Sequence, residues 1–351
     1  MRAAPKLFRV AVGIQRRGSN APEEGIMHTS SHSRSGVFKY MSDTSQSSLF
    51  RNGKCLMYRD VDGSDTPTVG VDFAAYEVPI ADARASGEHH KPSLTANGFE
   101  LLDQPIDAAN LDFFDNAMVL KNYYPACVEV VRGATGANVV VAFDHNIRSA
   151  SGKKSKKRIV GGQEVQRPAH VVHGDYTLTS APERLRQLAG APKSNDTYRP
   201  LLGDGETLLD ADHVEQAIAS GRFAIINLWR NIVAEPVELN PLALCDAATV
   251  KPEDLVVFEI HYTDRIGENY FAKHDKRHRW FYYPEMSRDE ALLIKQWDSA
   301  GEMAASRGAR SDSDQPAAPS TFSFHSAFKD DTTRPDAPDR WSMEVRCAVI
   351  Y

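Results

Sequence analysis

His173 and Asp175 stand two residues apart, with only Gly174 between them, in the stretch Arg167-Pro-Ala-His-Val-Val-His-Gly-Asp-Tyr-Thr177. On an extended strand, residues i and i+2 point to the same side. An imidazole and a carboxylate so placed can grip one metal ion. A second histidine from elsewhere in the chain would complete a two-histidine, one-carboxylate face that leaves coordination positions open on Fe(II). A bare His-x-Asp arises by chance in many chains of this size, so its meaning depends on what accompanies it.

Two candidates exist for that second histidine. His325 lies in Ser323-Phe-His-Ser-Ala-Phe328, and His278 opens His278-Arg-Trp-Phe-Tyr-Tyr-Pro-Glu-Met286. His145, in Phe143-Asp-His-Asn-Ile-Arg148, follows an apolar run and could line a pocket or simply satisfy hydrogen bonds. The C-terminal stretch Arg340 to Tyr351 alternates. Trp341, Met343, Val345, Cys347, Val349 and Tyr351 are apolar, while Arg340, Ser342, Glu344 and Arg346 occupy the other face. Alternation alone favours a solvated outer face for the polar set. The competing reading is a cavity face on which Arg340 or Arg346 holds a carboxylate in bidentate fashion. A metal-binding histidine followed by an acid-binding arginine is a layout that could chelate a dicarboxylic 2-oxo acid.

The elements that must position these residues are mostly strands. Asn138–Phe143, Phe223–Trp229, Leu255–Tyr262, His278–Tyr283 and the C-terminal run read as strands, and short β-type runs occupy 55–80. A helix is expected from Leu111 to about Arg132, closed by Gly133 and Gly136, with shorter helices at 181–188 and 211–219. Arg288–Trp297 reads as helical or mixed. Strand following strand through irregular loops points to a mainly β fold with flanking helices, a sandwich or barrel and not a doubly wound sheet. Residues 1–50, rich in Ser, Gly and His after residue 17, read as a poorly ordered segment. Residues 51–351 then form a single domain with its β core at about 138–351.

Bulk properties narrow the function. The chain has 351 residues, with 42% hydrophobic and 25% charged residues, enough for a sizeable core. A net charge of -6 argues against a broad nucleic-acid surface. No apolar run reaches the length of a membrane span. Cys55, Cys127, Cys245 and Cys347 are scattered, without a disulfide framework, which suggests a reducing compartment and a cytoplasmic protein. There is no Gly-x-Ser-x-Gly elbow and no phosphate-binding glycine loop.

Several stretches together resemble one family, the non-haem iron oxygenases of bacterial and fungal secondary metabolism. That family includes a cephamycin hydroxylase component, a novofumigatonin endoperoxide synthase and gibberellin-desaturase-like proteins. The matching stretches are Phe143–Arg148, Val172–Thr177, Ile226–Arg230, Pro241–Asp246, His278–Met286, Leu293–Ser299, His325–Phe328 and Arg340–Tyr351, in matching order from about residue 95 onward. Where family members often carry Asn inside the metal motif, this chain has Gly174, a change that could alter the pocket floor.

The resemblance implies a double-stranded β-helix (a cupin-like jelly roll) using Fe(II), 2-oxoglutarate and O2. It implies oxidation of an unactivated C–H bond of a small secondary-metabolite or amino-acid-derived substrate, by hydroxylation, desaturation or ring formation. His173, Asp175 and His325 are the implied metal ligands. Arg340 or Arg346 would hold the 2-oxoglutarate carboxylate, Arg340 the better placed by its distance from His325. Tyr176, Trp229, His145, His278 and Trp280 are possible pocket residues. A monomer or homodimer is expected. The alternatives are a non-catalytic β-barrel binding protein and a metal enzyme that needs no keto acid.

Overall fold

The chain folds so that its polar C-terminal arginines look inward. In this computed structural model, residues 34–60, 66–87, 91–106, 111–193, 195–263 and 265–351 are described. Among the described residues, fourteen strands follow one another: β1 (Arg34–Met41), β2 (Leu56–Tyr58), β3 (Phe73–Asp82), β4 (Phe99–Asp103), β5 (Val139–Arg148), β6 (His173–Gly174), β7 (Phe223–Asn231), β8 (Leu242–Cys245), β9 (Leu255–His261), β10 (Ile266–Ala272), β11 (Trp280–Tyr282), β12 (Glu290–Asp298), β13 (His325–Ala327) and β14 (Ser342–Ile350). Nine form one sheet in the order β1-β3-β11-β8-β13-β6-β10-β9-β2, and five form the other, β4-β12-β7-β14-β5. Most pairings are antiparallel, and β3–β11 and β2–β9 are parallel.

The two sheets share a hydrophobic core. Phe223, Ile225, Ala348 and Ile350 of the smaller sheet join Ala243, Cys245, Tyr270 and Trp280 of the larger in one buried cluster. The other face of the five-stranded sheet is covered by the helix Tyr124–Thr135. Tyr124, Cys127 and Val131 pack there on Ala142, Ile226, Leu293, Val345 and Cys347. That helix continues a π-helical stretch, Val119–Tyr123. It begins later and ends later than the periodicity predicts: Asp115 caps the first turn, and Gly136 closes the end in a left-handed conformation (φ 66°).

Double coverage explains the first two of three departures from the sequence reading. The polar face of β14 is not solvated: Ser342 and Glu344 are buried between the sheets, and Arg346 is nearly so. Glu290–Asp298 is the strand β12 and not a helix. Every residue from Ala291 to Asp298 is buried, and a strand buried on both faces loses the period-2 signal that would mark it. Third, β1 lies inside the stretch read as poorly ordered, so residues 34–49 correct that reading. Phe38 and Tyr40 alternate with exposed Val37 and Lys39, and the strand pairs with β3 along its whole length. Gly36 is required there, because a side chain would strike Ile80 and Phe328. Residues 1–33 of that segment lie outside the described residues.

Gly174 also departs from expectation. A Cβ added there meets Phe322 at 3.1 Å and Phe324 at 3.7 Å, so the position faces core aromatic rings and not a pocket floor. Gly174→Asn should therefore destabilise by about 1–3 kcal/mol through overpacking and a buried amide. Urea unfolding would register this, and unchanged stability would show that Phe322 yields freely.

Candidate metal centre and anion cavity

His173 on β6 and His325 on β13 are cross-strand partners in adjacent antiparallel strands. Their ring centroids are 4.3 Å apart. Asp175 follows β6 directly. Its Oδ1 lies 3.7 Å from His173 Nε2 and 4.0 Å from His325 Nε2. One ligand atom from each residue falls within 4.8 Å of the others. The β6–β13 register thus does what sequence spacing could not: it brings together residues more than 150 positions apart.

The smaller sheet supplies the supports. Arg346 on β14 pairs in register with Asn227 on β7 and Asp144 on β5. This polar row faces Asp175 across the sandwich. Asp175 Oδ2 accepts from Asn227 Nδ2 at 3.0 Å and from Arg346 Nη2 at 3.2 Å and Nε at 3.3 Å. Gln296, at the bulge in β12, accepts from the Asp175 backbone N–H at 3.1 Å. With Oδ2 occupied, Oδ1 is left to face the two imidazoles. His173 Nδ1 donates to the Val171 carbonyl at 2.8 Å, which fixes the tautomer and leaves the Nε2 lone pair pointing at the cluster.

The electrostatics suit a cation. Burial pushes the His173 pKa down to about 4, with His325 adding to the effect, and burial lowers that of His325 as well. Both rings are therefore neutral at neutral pH and can act as ligands. Burial would raise the Asp175 pKa, but Arg346 and the two histidines hold it well below the usual carboxylate range. Two neutral imidazoles and one carboxylate on one side are the donor set of an open non-haem iron site.

Beside the cluster lies a cavity lined by Arg148, Ala169, His173, Trp229, Leu242, His325, Ala327, Arg340 and Glu344. Arg340 is buried, its Cζ 5.7 Å from the centre of the Trp229 ring. It donates one N–H to the Asn240 carbonyl, while its Nε has no hydrogen-bond partner. Burial and the neighbouring Arg148 push its pKa down to about 9. Arg346 differs, because three carboxylates engage it: Asp144 at 2.8 Å, Glu344 at 2.9 Å and Asp175. Arg340 Nε is a buried polar atom without a hydrogen bond in the cavity wall, and Asn227 and Gln296, which hold Asp175, carry two more, Oδ1 and Nε2. Such orphans mark a space shaped for a ligand.

Three candidate pocket residues are corrected. His278 stands apart from the metal cluster, fully buried, with Nε2 3.1 Å from Asp254 and Nδ1 3.4 Å from Tyr40. Trp280 is core: its indole donates to Tyr40 at 2.8 Å and stacks on Phe38 at 4.6 Å. His145 turns to the helix side of β5, 2.9 Å from the Tyr124 hydroxyl, because strand alternation gives the inward place to Asp144. Trp229 does line the cavity. Tyr176 packs partly buried against the central core, its phenol pushed up to about 12 by burial. Asp144, Arg148, Asn227, Gln296 and Glu344 were not singled out in the sequence. Asn227 and Gln296 did carry a signal, a polar amide inside an otherwise apolar strand.

Comparison with known proteins gives the family. The model of the Oxidoreductase/YMDC permease-like domain matches residues 38–201 and 205–350. The alpha-ketoglutarate-dependent dioxygenase phiK of Fungal sp. is 30% identical over 266 residues, covering 74% of this chain and 79% of that one. The chain belongs to the Fe(II)/2-oxoglutarate-dependent dioxygenase family. Another member, the Fe(II)/2-oxoglutarate-dependent dioxygenase nvfI of Aspergillus novofumigatus, is 28% identical over 300 residues, covering 84% of this chain and 90% of its own. An uncharacterized protein in the dcmA 3' region of Methylophilus leisingeri is 41% identical over 194 residues, or 55% of this chain and 88% of that one. The solved iron and alpha-ketoglutarate-dependent endoperoxidase NvfI superposes with a TM-score of 0.67 at 23% identity, covering 90% of this chain and 97% of that one. The dioxygenase family fold is thus the expected jelly roll. Among the described residues, no helix is long and apolar enough to cross a membrane.

Proposed function

We propose that this chain holds Fe(II) on His173, Asp175 and His325, binds 2-oxoglutarate with its distal carboxylate at Arg340, and oxidises a C–H bond of a small molecule by hydroxylation, desaturation or ring formation. Iron with bound 2-oxoglutarate supplies the activation of O2. The chain's own part is to position and to exclude water. Asn227 and Arg346 aim the Asp175 carboxylate, and the Val171 carbonyl orients His173. Ala169, Ala327, Leu242 and Trp229 give the keto acid's methylenes an apolar wall. The observation that carries the reading is a three-ligand cluster opening on a cavity with a buried arginine that no carboxylate occupies.

Protein purified without oxygen should retain about one iron per chain, as a single three-ligand site requires. It should convert 2-oxoglutarate to succinate in the presence of Fe(II), O2 and substrate. Turnover that survives complete chelation of iron would overturn the reading.

A further inference from the structure

The cavity beside the metal cluster holds a second cation with no carboxylate partner. Arg148 closes β5, opposite Ser342 in the register with β14. Among the described residues its side chain hydrogen-bonds the Arg167 carbonyl at 2.9 Å, and no carboxylate lies within ion-pair distance of it or of Arg340. Glu344, the one carboxylate lining the cavity, is held by Arg346 at 2.9 Å. Two guanidinium groups thus line the same small space; burial and then Arg148 lower the proton affinity of Arg340, and the field of Glu344 reaches both.

We propose that Arg148 and Arg340 together clamp the distal carboxylate of the keto acid, which makes Arg148 a specificity-determining residue for a dicarboxylic co-substrate. This rests on the 2-oxoglutarate reading above and deepens it. Two like charges in a partly desolvated cavity repel each other until an anion sits between them. A carboxylate has two oxygens and can accept from one guanidinium on each. Glu344 is already paired with Arg346, so neither Arg148 nor Arg340 has a carboxylate of its own, and a bound carboxylate can answer both. A keto acid with an apolar tail would leave both arginines unpaired, so the charge pattern rejects it.

The test is calorimetric titration of the Fe(II)-loaded protein without oxygen, using 2-oxoglutarate and the monocarboxylic 2-oxobutyrate as probes. Arg148→Met should weaken 2-oxoglutarate binding by about tenfold or more, in line with the loss of one charge-assisted carboxylate contact. Its affinity for 2-oxobutyrate should stay within about twofold, since that acid never meets the clamp. Arg148→Lys should recover part of the loss, because it keeps the charge without the fork. If Arg148→Met binds 2-oxoglutarate as the wild type does while Arg340→Met loses it, the clamp is overturned and the co-substrate reading stands. Equal weakening of both acids would make Arg148 a structural residue and also overturn the proposal. Failure of the wild type to bind 2-oxoglutarate would bring down both.

Discussion

His325→Ala should leave the protein folded but without iron, and turnover should fall by about a thousandfold or more, whereas His278→Ala should keep both iron and turnover. The contrast follows from what each ring faces. His325 Nε2 points at Asp175 Oδ1 and at the partner ring of His173. Removing it deletes one of three donors, and two donors do not hold Fe(II) against water and buffer. The vacated space adjoins a cavity already, so little packing is lost. His278 sits instead between Asp254 and the Tyr40 hydroxyl. Its loss should lower stability by about 1–3 kcal/mol, the usual effect of stranding buried partners. The effect is moderated because Arg277 still pairs with Asp254. Iron analysis of anaerobically purified variants, together with urea unfolding, reads both effects. Iron retained in His325→Ala, or lost in His278→Ala, would reverse the assignment of the distal ligand.

The two histidines show how far the sequence could be read. His173-Gly174-Asp175 was legible because a strand's period of two fixes geometry within three residues. The choice between His325 and His278 was not, since each sits in an aromatic-rich stretch of sequence and only the pairing of β6 with β13 selects one. The family resemblance carried the jelly roll and favoured His325, and pattern alone carried neither. Arginine posed a similar problem. Arg340 and Arg346 fall on one face of the alternating C-terminal run, yet Arg346 meets Asp144, Asp175 and Glu344 while Arg340, just before β14, meets none. Those carboxylates come from β5, from the turn after β6 and from β14 itself, a convergence that alternation along a single strand cannot encode. The misread elements have a common cause. β12 and the inner face of β14 are buried on both sides, and patterning arguments assume that one side meets water.

Arg346→Met should weaken iron binding by about 10- to 100-fold, although Arg346 is proposed to touch neither iron nor keto acid. Supports of a ligating carboxylate have effects of that size when removed. Arg346 ties Asp175 Oδ2 through two N–H groups, and with Asn227 it leaves Oδ1 free for the metal. Methionine keeps much of the volume but strands three carboxylates in a buried space, so a stability loss of about 3–5 kcal/mol is expected. The pH dependence gives a second readout. Asp175 is held below its ordinary value of 3.8. Its stabilising contribution is therefore present above that value and is lost only as pH falls through the depressed folded value. Without Arg346, burial is the dominant influence left and pushes the Asp175 pKa upward, so protons compete with iron at higher pH. The midpoint of iron loss on acidification should move up in Arg346→Met. Arg346→Lys should recover much of the stability, because it restores a positive charge beside the carboxylates. It should recover little of the iron affinity, because a single ammonium cannot aim Oδ2 as the guanidinium fork does. Equal recovery of both by lysine would mean that charge alone, and not the orientation of Asp175, is what Arg346 supplies.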